Sequence, residues 1–303
     1  MSKAAHRSGQ CPTPWLGPRH GYLTDRMTQL WVRATGRRVK VADSPWLDGP
    51  IGATDVIGSE HFVNLAESSG LELRVNAPGA GLIADFDELE SHAFDTDRVD
   101  ARIKDFYEHT SAYRLDAWSE WCGVFRPFGR MLAFLFSRRL QQLNVPLAPL
   151  ATSRGITSDI IQLVEQDTGT VQHTGWLRKF ADTQDVIYVG HYSHCVPSRL
   201  GVPCVKVVFP LPNGSATVVM KPQVHADGSI TIASSGQNYG DAGFYFVLRR
   251  GSDSVDVRFV RTMREHIHVY VDEDDTLRAD HVFTISGATF LRLHYRMMRQ
   301  AGR

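Results

Sequence analysis

At 303 residues the chain is long enough for one large domain or two ordinary ones. Its apolar fraction of 43% and charged fraction of 22% are those of a globular protein, which excludes wholesale disorder, a long coiled coil and a membrane-embedded bundle. Lys plus Arg and Asp plus Glu each total 33, so no net field gathers a polyanion, and nucleic acid is not expected as a partner.

Residues 1–21 have the composition of a flexible arm, polar and rich in Gly, Pro, Ser and Arg, without the apolar stretch of a secretory signal. Leu23–Ala34 then predicts a short helix with Leu23, Met27, Leu30 and Trp31 on its apolar side. The basic cluster Arg33, Arg37, Arg38 and Lys40 lacks interleaved aromatics and reads as solvated surface. Breakers at Ser44-Pro45 and Gly49-Pro50 mark a connector to a compact unit around Asp55–Glu67, and Leu71–Val75 alternates like a strand.

Two further helices are predicted. In one, Asp95 or Thr96 is the cap and Val99, Ile103, Phe106 and Tyr107 recur at helical spacing. The other begins at Pro127, runs to Asn144, and carries Phe128, Met131, Leu132, Leu135, Phe136, Leu140 and Leu143 on one broad apolar side. That width suits a helix lying on the protein's own sheet, with peripheral contact to a membrane surface as the alternative. Its most apolar run, Met131–Phe136, falls far short of the roughly 20 residues of a transmembrane span.

Past Thr157 the apolar period changes to two. Asp167-Thr168-Gly169 turns Ile161–Glu165 into Thr170–Phe180 as a hairpin, and further strands follow as far as Phe290–Met298. Val205, Val207 and Phe209 share one face, as do Phe244, Phe246 and Leu248. The expected fold is α+β: a mostly helical portion, 22–156, packed on an antiparallel β-barrel or β-sandwich of about nine or ten strands, 157–303.

Cys11, Cys122, Cys195 and Cys204 have no C-x-x-C or zinc-knuckle spacing and read as free thiols of a reducing compartment, hence a cytoplasmic location. No nucleotide-binding glycine motif or nucleophile elbow occurs, and the pattern names no cofactor. His266, His268 and Tyr270 share one face of a strand, with His191 and His194 near the end of another, so these residues are candidates for acid–base or metal chemistry, although no metal is assigned. Aromatics are the other signal. Trp176, Tyr188, Tyr192 and Phe244 in the sheet, with Phe128 and Phe136 on the long helix, are candidates to line a pocket for an apolar or amphipathic ligand, although such residues more often simply fill a core.

Four segments, Phe106–Thr110, Arg139–Asn144, Thr152–Thr157 and Phe209–Gly214, resemble a bacterial family: the soluble C-terminal portion of YndJ-like proteins and their free-standing relatives, over about Phe106 to Met298. The resemblance implies an uncharacterised family and assigns no site residue. Its members look like membrane proteins, whereas no spanning segment is read here. The function expected from the residues is a binding protein for an apolar or amphipathic small molecule held in the sheet's concavity under a helix. A histidine-dependent, possibly metal-dependent, enzyme and an assembly or regulatory subunit are the alternatives.

Overall fold

The structure is a computed structural model describing residues 23–53, 56–125, 127, 140–143 and 155–300. Its frame is one antiparallel sheet. From one end the order is β2 (Glu72–Val75), β4 (Ile156–Val164), β5 (Val171–Phe180), β6 (Val186–Cys195), β7 (Cys204–Leu211) and β8 (Gly214–Val224). It continues through β9 (Ile230–Ala233), β12 (Met263–Val271), β13 (Leu277–Ile285) and β14 (Ala288–Arg299) to β3 (Tyr113–Trp121). At β8 the sheet forks: Lys221–Val224 pair with β9, while Gly214–Val219 pair with β10 (Gly243–Arg249). β10 then carries β11 (Ser254–Phe259), and β11 carries β1 (Arg37–Lys40).

The antiparallel architecture agrees with the period-two pattern, but the strand count and the closure do not. Among the described residues there are fourteen strands rather than nine or ten: eleven lie from Ile156 onward, and β1, β2 and β3 join from the portion expected to be mostly helical. The hydrogen-bonded path is open, running from β2 to β3, and is not a closed barrel. These N-terminal strands supply both ends of the path and the end of the fork, which shields strands that a barrel would protect by closure. Short turns enforce the meander: Ser286 and Gly287 both have positive φ, 50° and 86°, the two-residue geometry that matches strand twist between β13 and β14.

The open sheet nonetheless curls. The Arg178 guanidinium of β5 lies 5.0 Å from the ring of Tyr295 on β14, and Tyr113 and Leu115 of β3 share a buried core with Ile160 of β4. Alternation therefore places one face of nearly every strand inside the curl.

Helices cover the outside and one end. α1 (Leu23–Thr35) forms where expected, but its orientation is reversed: Leu23 and Met27 are 74% and 65% exposed and Leu30 and Trp31 are also exposed, while Asp25, Gln29 and Val32 are buried. The inner side docks through polarity, with Gln29 Nε2 donating to the Pro212 carbonyl at 3.2 Å. α2 (His61–Ser69) lies on the convex face, and Phe62 fills the notch left by Gly175, where a Cβ would stand 2.1 Å from the ring. α3 (Ala101–Glu108) starts later than predicted, because Asp100 caps it and Asp95 caps a separate turn at Thr96–Arg98. Ile103, Phe106 and Tyr107 point into the main core as the spacing requires. The long helix predicted over Pro127–Asn144 falls mostly outside the described residues, as do Phe128 and Phe136.

Candidate functional site

The curl encloses a cavity of about 510 Å³, lined by alternate residues of β3, β5 to β10 and β12 to β14, with α3 at one end. Val205, Val207 and Phe209 project into it at two-residue steps, as do Leu291, Leu293, Tyr295 and Met297. Leu140, Gln142 and Leu143 border the cavity. β6 and β7 pair only from His191 and Val208 onward, so the two strands part beyond that point. Buried Gln142 bridges the gap: Nε2 donates to the carbonyls of Val189 and Pro210 at 2.9 and 3.1 Å, and Oε1 accepts from the Val189 amide at 2.9 Å.

Of the aromatic residues singled out from sequence, Trp176, Tyr188, Tyr192 and Phe244 all line this cavity. Polar groups that periodicity did not single out accompany them. Arg178 and Trp176, two residues apart on β5, face inward together; Arg178 is 3% exposed and its Nε and Nη2 have no hydrogen-bond partner. Its Cζ lies 5.0 Å from the Trp176 ring and 5.6 Å from the Tyr188 ring. The Tyr188 and Tyr192 hydroxyls are 3.3 Å apart. Burial pushes the Tyr188 phenol up to about 12 against the opposing pull of Arg178, and it holds Tyr192 well above and Tyr295 above the ordinary value. All three phenols are therefore neutral O–H donors near neutral pH.

A second polar pair faces the same space. Glu265 of β12 and His281 of β13 are both buried, with His281 Nε2 2.6 Å from Glu265 Oε1. The contact is close in distance, but its angle lies outside hydrogen-bond geometry. The readable signal for all these groups was phase: Arg178, Glu265 and His281 each sit two residues from apolar side chains on the inward face.

The histidines that the sequence pointed to lie elsewhere and do not meet. β7, β8 and β9 separate β6 from β12, a span of about 19 Å along the sheet. His191 faces outward under α2, with His61 Nε2 2.8 Å from its own Nε2 and the His173 ring centroid at 5.8 Å. Burial lowers the His61 imidazole to about 4, with His173 adding to the effect, and it lowers His191 well below the ordinary range, with His61 and His173 adding. His194 is at the surface, 3.0 Å from Glu88. His266, His268 and Tyr270 share the outer face of β12: His266 is exposed, and His268 is 3.1 Å from Ser229 Oγ and stacked on Tyr270 at 4.9 Å. Among the described residues no three His, Cys, Asp or Glu side chains are grouped to hold a metal ion.

Cys195 and Cys204 face each other across β6 and β7, buried and free, and burial pushes their thiols up to about 11 and about 12. At neutral pH they are protonated and poor nucleophiles.

Fold and site together define a class: an antiparallel-sheet protein curled around an apolar cavity with a buried arginine in its wall. The chain is similar to "Uncharacterized membrane protein YndJ" of Bacillus subtilis (strain 168), with 27% identity over 240 residues, covering 79% of this chain and 41% of that protein. It thus spans about two-fifths of the length of the curated relative it matches. No family model and no solved structure matches it. Among the described residues no helix is long and apolar enough to cross a membrane.

Proposed function

We propose that the protein binds an apolar or amphipathic small molecule in the concavity of its sheet. The observation that carries this reading is the cavity of about 510 Å³, within the range of small-molecule sites, whose walls are largely hydrocarbon and aromatic. On this reading the protein works in the cytoplasm, in contact with a membrane as the source of its amphiphile; the relative's description as a membrane protein supports the membrane contact alone.

Nile red, a neutral apolar fluorophore, is expected to bind saturably with a blue-shifted emission. Ala279→Leu projects a larger side chain into the cavity and is expected to weaken that binding about tenfold, or roughly 1.4 kcal/mol, with the thermal midpoint unchanged or raised. Nile red binding that is absent or unaffected by A279L refutes the reading.

Histidine-dependent catalysis is a second reading, favoured by the buried Glu265 and His281 pair within the same cavity. An imidazole beside a carboxylate in an apolar cavity has the chemistry of a general base. Turnover of nitrophenyl octanoate, followed by release of nitrophenolate, is expected to fall about a hundredfold or more in His281→Ala; absence of turnover in the unaltered protein disposes of esterase chemistry.

A further inference from the structure

A guanidinium is charged at every pH that a cell reaches, and taking it out of water is costly unless anions or polar acceptors replace the lost hydration. Arg178 is in that position. It is 3% exposed and lines the cavity, and the aromatic rings of Trp176, Tyr188 and Tyr295 stand 5.0, 5.6 and 5.0 Å from its Cζ. These rings attract the cation, and the Tyr188 and Tyr295 side chains also favour its charge, yet Nε and Nη2 have no hydrogen-bond partner. Among the described residues no carboxylate pairs with Arg178; Glu265, in the same cavity, stands beside His281, with its Oε1 2.6 Å from Nε2.

Resting on the cavity reading above, we infer that the occupant is a single-chain amphiphile bearing one carboxylate, held in plane by Arg178. Nε and Nη2 form one edge of the guanidinium, and that edge matches the two oxygens of a carboxylate. The neighbouring phenols of Tyr188 and Tyr192 supply further donors. Arg178 is the one Lys or Arg among the described lining residues. One carboxylate matches the open edge of one guanidinium, whereas a phosphate monoester brings a second charge that this single edge does not meet. The remaining walls suit an unbranched hydrocarbon tail.

Competition against Nile red with dodecanoate, dodecanol and dodecyl phosphate tests this. The unaltered protein is expected to bind dodecanoate ten- to a hundredfold more tightly than dodecanol, the range of a charge-assisted pair, and more tightly than dodecyl phosphate. Arg178→Met is expected to abolish the preference for dodecanoate while leaving dodecanol affinity within about threefold, and its unliganded form is expected to melt no lower than the parent. Arg178→Lys retains the charge without the fork and is expected to keep only part of the preference, so the inference stands testable even if R178M fails to fold.

Equal affinity for dodecanoate and dodecanol, a preference for the phosphate, or full preference retained in R178M or R178K overturns the carboxylate inference while the cavity reading survives. Failure of Nile red and all three amphiphiles to bind overturns both.

Discussion

Phe62→Ala is expected to lower the unfolding free energy by about 3–5 kcal/mol, the cost of truncating a fully buried aromatic ring, read as a fall in urea midpoint at unchanged slope. Phe62 is 1% exposed and seats α2 on the convex face by filling the space above Gly175. The complementary change, Gly175→Ala, is expected to cost about 1–3 kcal/mol by overpacking, since the added methyl would stand 2.1 Å from Cε1 and 2.2 Å from Cζ of that ring. In the double variant the methyl has room, so G175A is expected to cost almost nothing in the F62A background. Additive effects in this double-mutant cycle would show that ring and notch do not form one contact.

Stability is also expected to fall by about 3 kcal/mol as pH is lowered from about 6.5 to about 4. His61 is buried, close to His191 and His173, and its imidazole is held at about 4 instead of the ordinary 6.5. The unfolded chain therefore takes up a proton first, so stability is full above about 6.5 and is lost through the window down to about 4. His191, lowered in the same direction by the same burial, adds to the loss. Asp48 and Lys206 act on neighbouring His173 with opposite signs, while burial is the larger cause of its lowering. Urea midpoints measured across this range are expected to slope steeply for the parent and markedly less for His61→Gln. An unchanged slope in H61Q would show that the pair under α2 does not set the acid limit.

The site was legible in part. Trp176, Tyr188, Tyr192 and Phe244 were readable as pocket candidates because large aromatics on one face of successive strands need a common space, and the cavity holds all four. Arg178, Glu265 and His281 also stand in phase with apolar neighbours, but a charged residue on an apolar face gains meaning only when the opposite wall is known. For Arg178 that wall includes Tyr295, 117 positions later in the chain. The histidine pattern of β12 gave the face correctly, because His266, His268 and Tyr270 do project from one side. It could not say that β7, β8 and β9 would separate them from His191.

What the residues determine alone is local: a two-residue apolar period with polar turns makes extended antiparallel segments from residue 156 onward, since each strand must present one dry face. The same local logic places a helix over Leu23–Ala34 yet mistakes its buried side, because docking through Gln29 and Val32 is a property of the surface it meets. The tertiary structure alone decided that β1, β2 and β3 complete the sheet and that the path curls without closing. It also leaves a buried guanidinium facing an apolar cavity. Each of these depends on contacts between residues far apart in the chain, whose energies no single segment contains.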